Sequence, residues 1–204
     1  MKSNSLNWGP PISIYNLDSN TFTKVKNIKP EFKFDKDDEI FLTNPILGRY
    51  NYSDSARGEM KGYLDPYIRD YMKNTMIHNK EIANRNFDQV KFSFSNLWAN
   101  DYKNNQTVTP HIHSCDIGFL VYLKVDSELL KKETYPSGCT VFRYGEERDA
   151  RALIPYLVNN FITPKEGELL IFPNNVNHYT VPFDNPNIKR ITLSGNIDVE
   201  LSNW

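Results

Sequence analysis

The sequence predicts a mainly β fold, an antiparallel sandwich or barrel with a helical N-terminal elaboration. Three observations carry this. Beyond Asn86 the apolar residues fall in short runs rather than at helical spacing, turn residues separate the runs, and no long helical pattern comes between them. A chain of 204 residues is long enough for one filled core, so a single domain over 1–204 is expected, with 1–88 covering a core of 89–199.

Residues 1–57 alternate apolar patches with Pro and Asn, as in Ile12-Ser13-Ile14-Tyr15 and Phe32-Lys33-Phe34, which reads as edge strands or covering segments rather than a separate domain. At Asp65 the pattern changes. Asp65 suits an N-cap, Pro66 a first helical position, and Leu64, Ile68, Met72 and Met76 recur at helical spacing, so a helix is predicted from about Pro66 to His78. Val90, Phe92 and Phe94 then alternate with polar residues in a half-buried strand leading to Trp98. Further strands are predicted at Ile117 to Val125, Cys139 to Tyr144, Tyr156 to Ile162, Leu169 to Phe172 and Ile188 to Ile197. Gly138, the Pro164 to Gly167 stretch and Asp184-Asn185-Pro186 supply turns.

The net charge of −1 gives no basic face for nucleic acid, so a small molecule or a peptide is the expected partner. Cys115 and Cys139 form no disulfide framework, which fits a reducing cytoplasm. No apolar run approaches the ~20 residues needed to cross a bilayer, and the N-terminus has no signal-like apolar region. A soluble cytoplasmic monomer or homodimer is expected. His78, set among Asn79, Lys80 and Glu81, reads as a surface residue.

Chemistry concentrates in WANDYKNNQTVTPHIHSCD, residues 98–116. Residues i and i+2 of a strand share a face, so His111 and His113 at a strand end can aim both imidazoles at one point. An H-x-H pair fits an exposed strand as well. A third histidine, His178, follows the run GELLIFP, and three histidines at strand mouths could hold iron, copper, nickel or zinc on one octahedral face. In the last strand, alternation sets Arg190, Thr192 and Ser194 on one face and Ile191, Leu193 and Ile197 on the other. The polar set is either a solvated outer face or a carboxylate receptor, a guanidinium beside hydroxyl donors.

From Tyr102 on, the chain resembles the Fe(II)/2-oxoglutarate-dependent oxygenases, in pattern the prolyl 4-hydroxylase-like branch and the small oxygenases of marine bacteria and phages. The matching residues are Tyr102 with Pro110 and His111, then Val121-Tyr122-Leu123, and more loosely Ser137-Gly138-Cys139-Thr140-Val141-Phe142. Pro164, Gly167, Phe172, Pro173, His178 and Arg190 complete the pattern. The resemblance implies a double-stranded β-helix (jelly-roll) core with N-terminal helix packed on it, and Fe(II) held by His111, His113 and His178. It implies 2-oxoglutarate as co-substrate, its distal carboxylate on Arg190 with Thr192, Tyr102 and Tyr122 in support. It also implies ascorbate as an accessory reductant, release of succinate and carbon dioxide, and hydroxylation of an unactivated C–H bond in a small molecule or peptidyl side chain.

His113 stands where the family has a carboxylate. Three outcomes are open: a working three-histidine site, rescue by Asp116, or a site that binds metal without hydroxylating. Parity favours the first, because Asp116 would need the strand to bend. Two rival readings remain. In a cupin, Gly167, Pro173 and His178 would fill the second motif, but the glutamate of the first is missing and Tyr102 and Arg190 have no role. In a non-catalytic jelly-roll protein the histidines would be incidental. The dense charges of Glu146 to Arg151 read as a solvated face or a grip on a polar substrate.

Overall fold

The computed structural model describes residues 3–6, 9–33, 48–76, 90–130, 137–145 and 158–200. In chain order these form β1 (Ser3–Leu6), β2 (Ile12–Asn16), α1 (Ser19–Asn27), β3 (Phe32–Lys33), β4 (Gly48–Asn51), α2 (Asp54–Met76) and β5 (Lys91–Tyr102). Beyond them come β6 (Ile117–Val125), a 3-10 turn at Ser127–Leu130, β7 (Thr140–Tyr144), β8 (Val158–Ile162), β9 (Glu168–Pro173), β10 (Asn177–Thr180) and β11 (Arg190–Glu200). His78 and the 146–151 charge cluster lie outside the described residues.

Among the described residues the strands make an eight-stranded sheet, ordered β1-β2-β9-β6-β11-β5-β4-β3, and a three-stranded sheet, ordered β10-β7-β8, every pairing antiparallel. Alternation divides the larger sheet between two cores. Phe119, Val121, Leu169, Ile171 and Leu193 face the helices. Leu120, Tyr122, Leu170 and Phe172 face the smaller sheet, where Phe142 and Ile162 meet them. Burial on both faces explains why β6 and β9 read as nearly unbroken apolar runs.

The helices cover the outer face of the large sheet. In α1 the Asp18 carboxylate caps the N-terminus by accepting from the N–H groups of Asn20 and Thr21, both at 3.0 Å. The sequence pattern misses this helix because only Val25 is buried in it. For α2 the predicted start at Pro66 is wrong. The helix begins at Asp54, Ser53 caps it by accepting from the Ala56 N–H, and Pro66 lies inside it. Asp65 caps nothing at a helix start, and instead accepts from Arg69 Nε at 2.8 Å. The buried face, Ala56, Met60, Leu64, Ile68, Tyr71 and Met72, continues the stripe seen in the sequence back by two turns.

An irregularity in β5 decides which of its residues face the space between the sheets. Phe92 and Phe94 face the helices, and so do Leu97 and Ala99, which are of the opposite parity. Against β11 the register runs Asn196↔Asn96 and then Ile197↔Phe94, so Ser95 is an extra residue on β5. This β-bulge moves every later residue of the strand to the other face. Trp98, Asn100 and Tyr102 thereby point between the sheets.

Candidate active site

A cavity of about 570 Å³ opens between the sheets, lined by the inner faces of β5 and β11, by β10, and by the segment leading into β6. All three expected histidines line it. They are held by backbone as much as by strand position. His111 and His178 exchange N–H to carbonyl bonds of 3.1 and 3.0 Å across an isolated antiparallel bridge, and the His113 N–H donates to Asn174 O at 3.0 Å. His113 itself lies ahead of the start of β6, not in a regular strand. β10, which carries His178, is not legible in the sequence as a strand.

The ligand atoms of the three imidazoles lie within 4.8 Å of one another. The Nδ1 of His111 faces Thr109 O at 2.8 Å and that of His178 faces Val176 O at 2.9 Å. A carbonyl only accepts, so both Nδ1 atoms carry the proton and both Nε2 atoms present a lone pair. His113 Nδ1 meets the Asn196 side-chain oxygen, which sets the same tautomer. Yet the Nε2 atoms of His113 and His178 are 3.1 Å apart. Two lone pairs aimed at each other repel, unless a cation lies between them. Ligands at right angles on a metal, each ~2.1 Å away, are about 3.0 Å apart. The donor set therefore fits a divalent metal. Burial is the main force lowering the proton affinity of each ring, taking His113 down to about 4 and His178 well below its usual value, with the nearby charge of Arg49 acting on His111 and His113. Rings kept neutral are rings able to ligate.

Asp116 is not in this group. Its carboxylate is exposed and accepts from the Val199 N–H at 2.7 Å, tying the start of β6 to β11. Asp116, the less favoured ligand, is therefore not brought into the histidine cluster. Cys115 is also turned away, its thiol donating to Ile117 O, and burial pushes it up to about 11.

Deeper in the same cavity lies Arg190, 1% exposed. Nε donates to Gly138 O at 2.8 Å and one terminal nitrogen to Thr140 Oγ1 at 3.0 Å. The guanidinium lies 4.4 Å from the Tyr102 ring centre and 5.3 Å from that of Tyr122. Its other terminal nitrogen and the Thr192 hydroxyl are buried without a hydrogen-bond partner. Among the described residues no carboxylate pairs with it. A buried cation so placed costs several kcal/mol unless an anion joins it, roughly as for any uncompensated interior charge. The arrangement has the donors a carboxylate would need, and the burial of Arg190 and Thr192 rules out the solvated-face alternative for them. Tyr102 lines the cavity and its hydroxyl accepts from Thr180 Oγ1 at 3.3 Å. Tyr122 does not line it, and its hydroxyl, pushed up to about 12 by burial, donates to Thr140 Oγ1 at 2.7 Å. Sequence reasoning misses Thr140, Thr180, Asn196 and Arg49. Thr140 has a signal in the loosely matched Ser137 to Phe142 segment, and Asn196 in the alternation that continues from Arg190, Thr192 and Ser194.

Residues 96–196 match the sequence model of a family described as "Putative 2OG-Fe(II) oxygenase". Among curated proteins none matches the chain. Solved structures do. The viral collagen prolyl hydroxylase of Paramecium bursaria Chlorella virus-1, in complex with 2-oxoglutarate, is 13% identical with a TM-score of 0.51, over 91% of this chain and 94% of that one. A Pseudomonas putida prolyl-4-hydroxylase is 12% identical at 0.52, over 93% of each chain. HygX from Streptomyces hygroscopicus, with nickel, 2-oxoglutarate and hygromycin B bound, is 10% identical at 0.54, over 92% of this chain and 82% of that one. At such identities the likeness is one of fold, the double-stranded β-helix.

Proposed function

The chain belongs, through residues 96–196, to the 2OG-Fe(II) oxygenases, and from that premise we propose that it hydroxylates a C–H bond of a small molecule or a peptidyl side chain, with His111, His113 and His178 as the iron ligands and Arg190 as the co-substrate anchor. The observation that carries this reading is the convergence of three Nε2 lone pairs in the same cavity as a buried guanidinium that lacks an anion. When bound, Fe(II) and 2-oxoglutarate supply the oxidising chemistry, in which the co-substrate leaves as succinate and carbon dioxide.

The rest falls to the residues of this chain. The Thr109 and Val176 carbonyls and the Asn196 side chain keep the Nδ1 protons on the far side of each ring, so each Nε2 stays a ligand. The Arg190 fork and the Thr192 hydroxyl receive the distal carboxylate, while Gly138, Thr140 and Tyr122 hold the guanidinium in plane. Trp98, stacked on His113 with ring centres 5.9 Å apart, screens the ligand from water on its outer side. A cavity of about 570 Å³ has room for the co-substrate and for a small molecule or one protruding side chain. Metal analysis of the wild type and of His178→Ala tests the ligand set, and equal metal in both would sink it. Succinate release with Fe(II) and 2-oxoglutarate, over a metabolite and peptide panel, tests the reaction. A panel member that gains one oxygen names the substrate. No release even without substrate, from a protein that binds both metal and co-substrate, points instead to a three-histidine site that does not oxidise.

A further inference from the structure

Beside Arg190, the sheet that floors the cavity carries another buried polar group. Register sets Asn100 of β5 directly across from Thr192 of β11, and Thr192 across from Tyr122 of β6, so the three form one row. Directly opposed side chains of an antiparallel pair stand about 5 Å apart. Asn100 is 5% exposed and, with Thr192, lines the cavity. Its side-chain oxygen, like the Thr192 hydroxyl, is buried without a hydrogen-bond partner. Two such groups side by side point to one ligand, because each has given up water and gains nothing back until a partner bonds to it.

Position says which ligand. Along β5, Asn100 comes two residues before Tyr102, whose ring lies beside the Arg190 guanidinium, and two after Trp98, whose ring stacks on His113. At ~3.4 Å per residue it stands about 7 Å from each along the strand. A co-substrate that runs from Arg190 to the histidines therefore crosses this row. The guanidinium also lies 5.3 Å from the ring centre of Tyr122, at the far end of the row, so an anion on it meets Thr192 and its neighbour.

A count of donors points the same way. Arg190 Nε and Nη2 already donate to Gly138 and Thr140, and Nη1 is the nitrogen without a partner. The Thr192 hydroxyl makes a second donor, whereas the two oxygens of a carboxylate offer about four acceptor sites. Asn100 is the adjacent side chain able to supply another. A half-turn of its carboxamide exchanges oxygen and nitrogen, which sets the NH2 group where the unpartnered oxygen stands.

We propose that Asn100 is a further co-substrate-binding residue, donating from its side-chain NH2 to the distal carboxylate of 2-oxoglutarate. This rests on the oxygenase reading above and adds to it a residue that no motif in the sequence marks. A neutral amide gives the carboxylate a directed bond without a second buried cation, which would bring its own desolvation cost.

The test compares 2-oxoglutarate with 2-oxobutyrate, a keto acid with the same chelating end and no distal carboxylate. Each is titrated anaerobically into the Fe(II) protein and read by the metal-to-ligand absorption band. Asn100→Ala is expected to weaken 2-oxoglutarate about tenfold, as loss of a hydrogen bond to a charged group does, and 2-oxobutyrate by less than about twofold. The position of the band, the iron content and the circular dichroism should match the wild type. Asn100→Asp keeps the shape but sets a like charge beside the carboxylate, so it should weaken 2-oxoglutarate more than alanine does. Its ratio of the two affinities decides the matter if the alanine variant does not fold. The proposal is overturned if Asn100→Ala binds 2-oxoglutarate like the wild type or if both keto acids weaken alike. A band that moves as the affinity falls also overturns it, since Asn100 would then act at the chelating end. Wild-type protein that takes up no 2-oxoglutarate overturns the oxygenase reading itself, a separate result visible before any variant is made.

Discussion

His111 and His178 are joined by their backbones, each donating its N–H to the other's carbonyl at 3.1 and 3.0 Å, and their ring centres lie 4.3 Å apart. The two are far apart in the chain, so the bridge rather than local sequence brings two ligand candidates into register. Because these bonds are main-chain bonds, a side-chain deletion should spare them. His178→Ala is therefore expected to remain folded, with unchanged circular dichroism, while losing the metal. A variant that unfolds with the chelated wild type still folded would show that the ring, and not the bridge, organises this end of the sandwich.

In the proposed ligand set Asn196 would act on the metal through His113, its side-chain oxygen accepting from Nδ1. Outer partners of ligating histidines are typically worth about 10–100-fold in metal affinity. Asn196→Ala should lower affinity by that order, and Asn196→Asp should restore or exceed the wild type, since a carboxylate accepts the same proton more strongly. Competition against a chromophoric chelator measures both. An unchanged affinity in Asn196→Ala would remove Asn196 from the site.

The legibility of the fold and the site in the sequence depends on where the information resides. The apolar runs of β6 and β9 and the polar face of β11 are local patterns with period two, and each reads at nearly its true bounds. The same rule places Arg190 and Thr192 on one face. The start of α2 is misplaced because Pro66 usually opens a helix, whereas here Ser53 does so and packing of Met60 and Leu64 carries the helix across the proline. The inward turn of Trp98 and Asn100 is hidden because the Ser95 bulge breaks the alternation that reading depends on. Asn196 continues the period-two face of Arg190, Thr192 and Ser194, but its role depends on the distant His113; Arg49 reaches the site through the pairing of β4 with β5, and no spacing in the sequence marks it.

The Arg190 subsite makes a graded prediction. Arg190→Ala should weaken 2-oxoglutarate about thirtyfold or more, because losing one partner of a desolvated charge pair costs ~2–5 kcal/mol. Thr192→Val keeps the shape and removes one hydroxyl donor, so roughly tenfold is expected, as for a hydrogen bond to a charged group. Anaerobic titration of the Fe(II) protein, followed by its metal-to-ligand absorption band, reads both. Equal effects would mean that the hydroxyl is as important as the cation, which a receptor built around the buried guanidinium does not allow.

Gly195 sits on β11 between Ser194 and Asn196, and a Cβ there would meet the buried Phe119 ring 2.6 Å from Cζ and the Leu97 side chain at 2.9 Å. Phe119 packs against Phe94 with ring centres 5.1 Å apart and has little room to withdraw. Gly195→Ala should destabilise by roughly 1–3 kcal/mol, as overpacking in a filled core does. Urea unfolding of the metal-free protein is the measurement, and a variant as stable as the wild type would mean that the ring moves freely.

Acid should destabilise the metal-free protein through these same histidines. Burial lowers His113 to about 4 in the fold, against 6.5 for the ordinary ring, and lowers His111 and His178 in the same direction. Between those values the unfolded chain binds more protons than the folded one, so the stability of the fold rises with pH through this window and is lost as pH falls through it. From His113 alone the loss between pH 7 and pH 4 is about 3 kcal/mol. Urea midpoints of chelated protein at pH 7.5, 6 and 5 should therefore fall stepwise. In His113→Gln, which keeps a polar side chain but cannot titrate, the fall should be shallower by the His113 share. Parallel pH profiles for the two proteins would mean that the ring is no harder to protonate in the fold than in the open chain, and that the neutral ligand set is not imposed by burial.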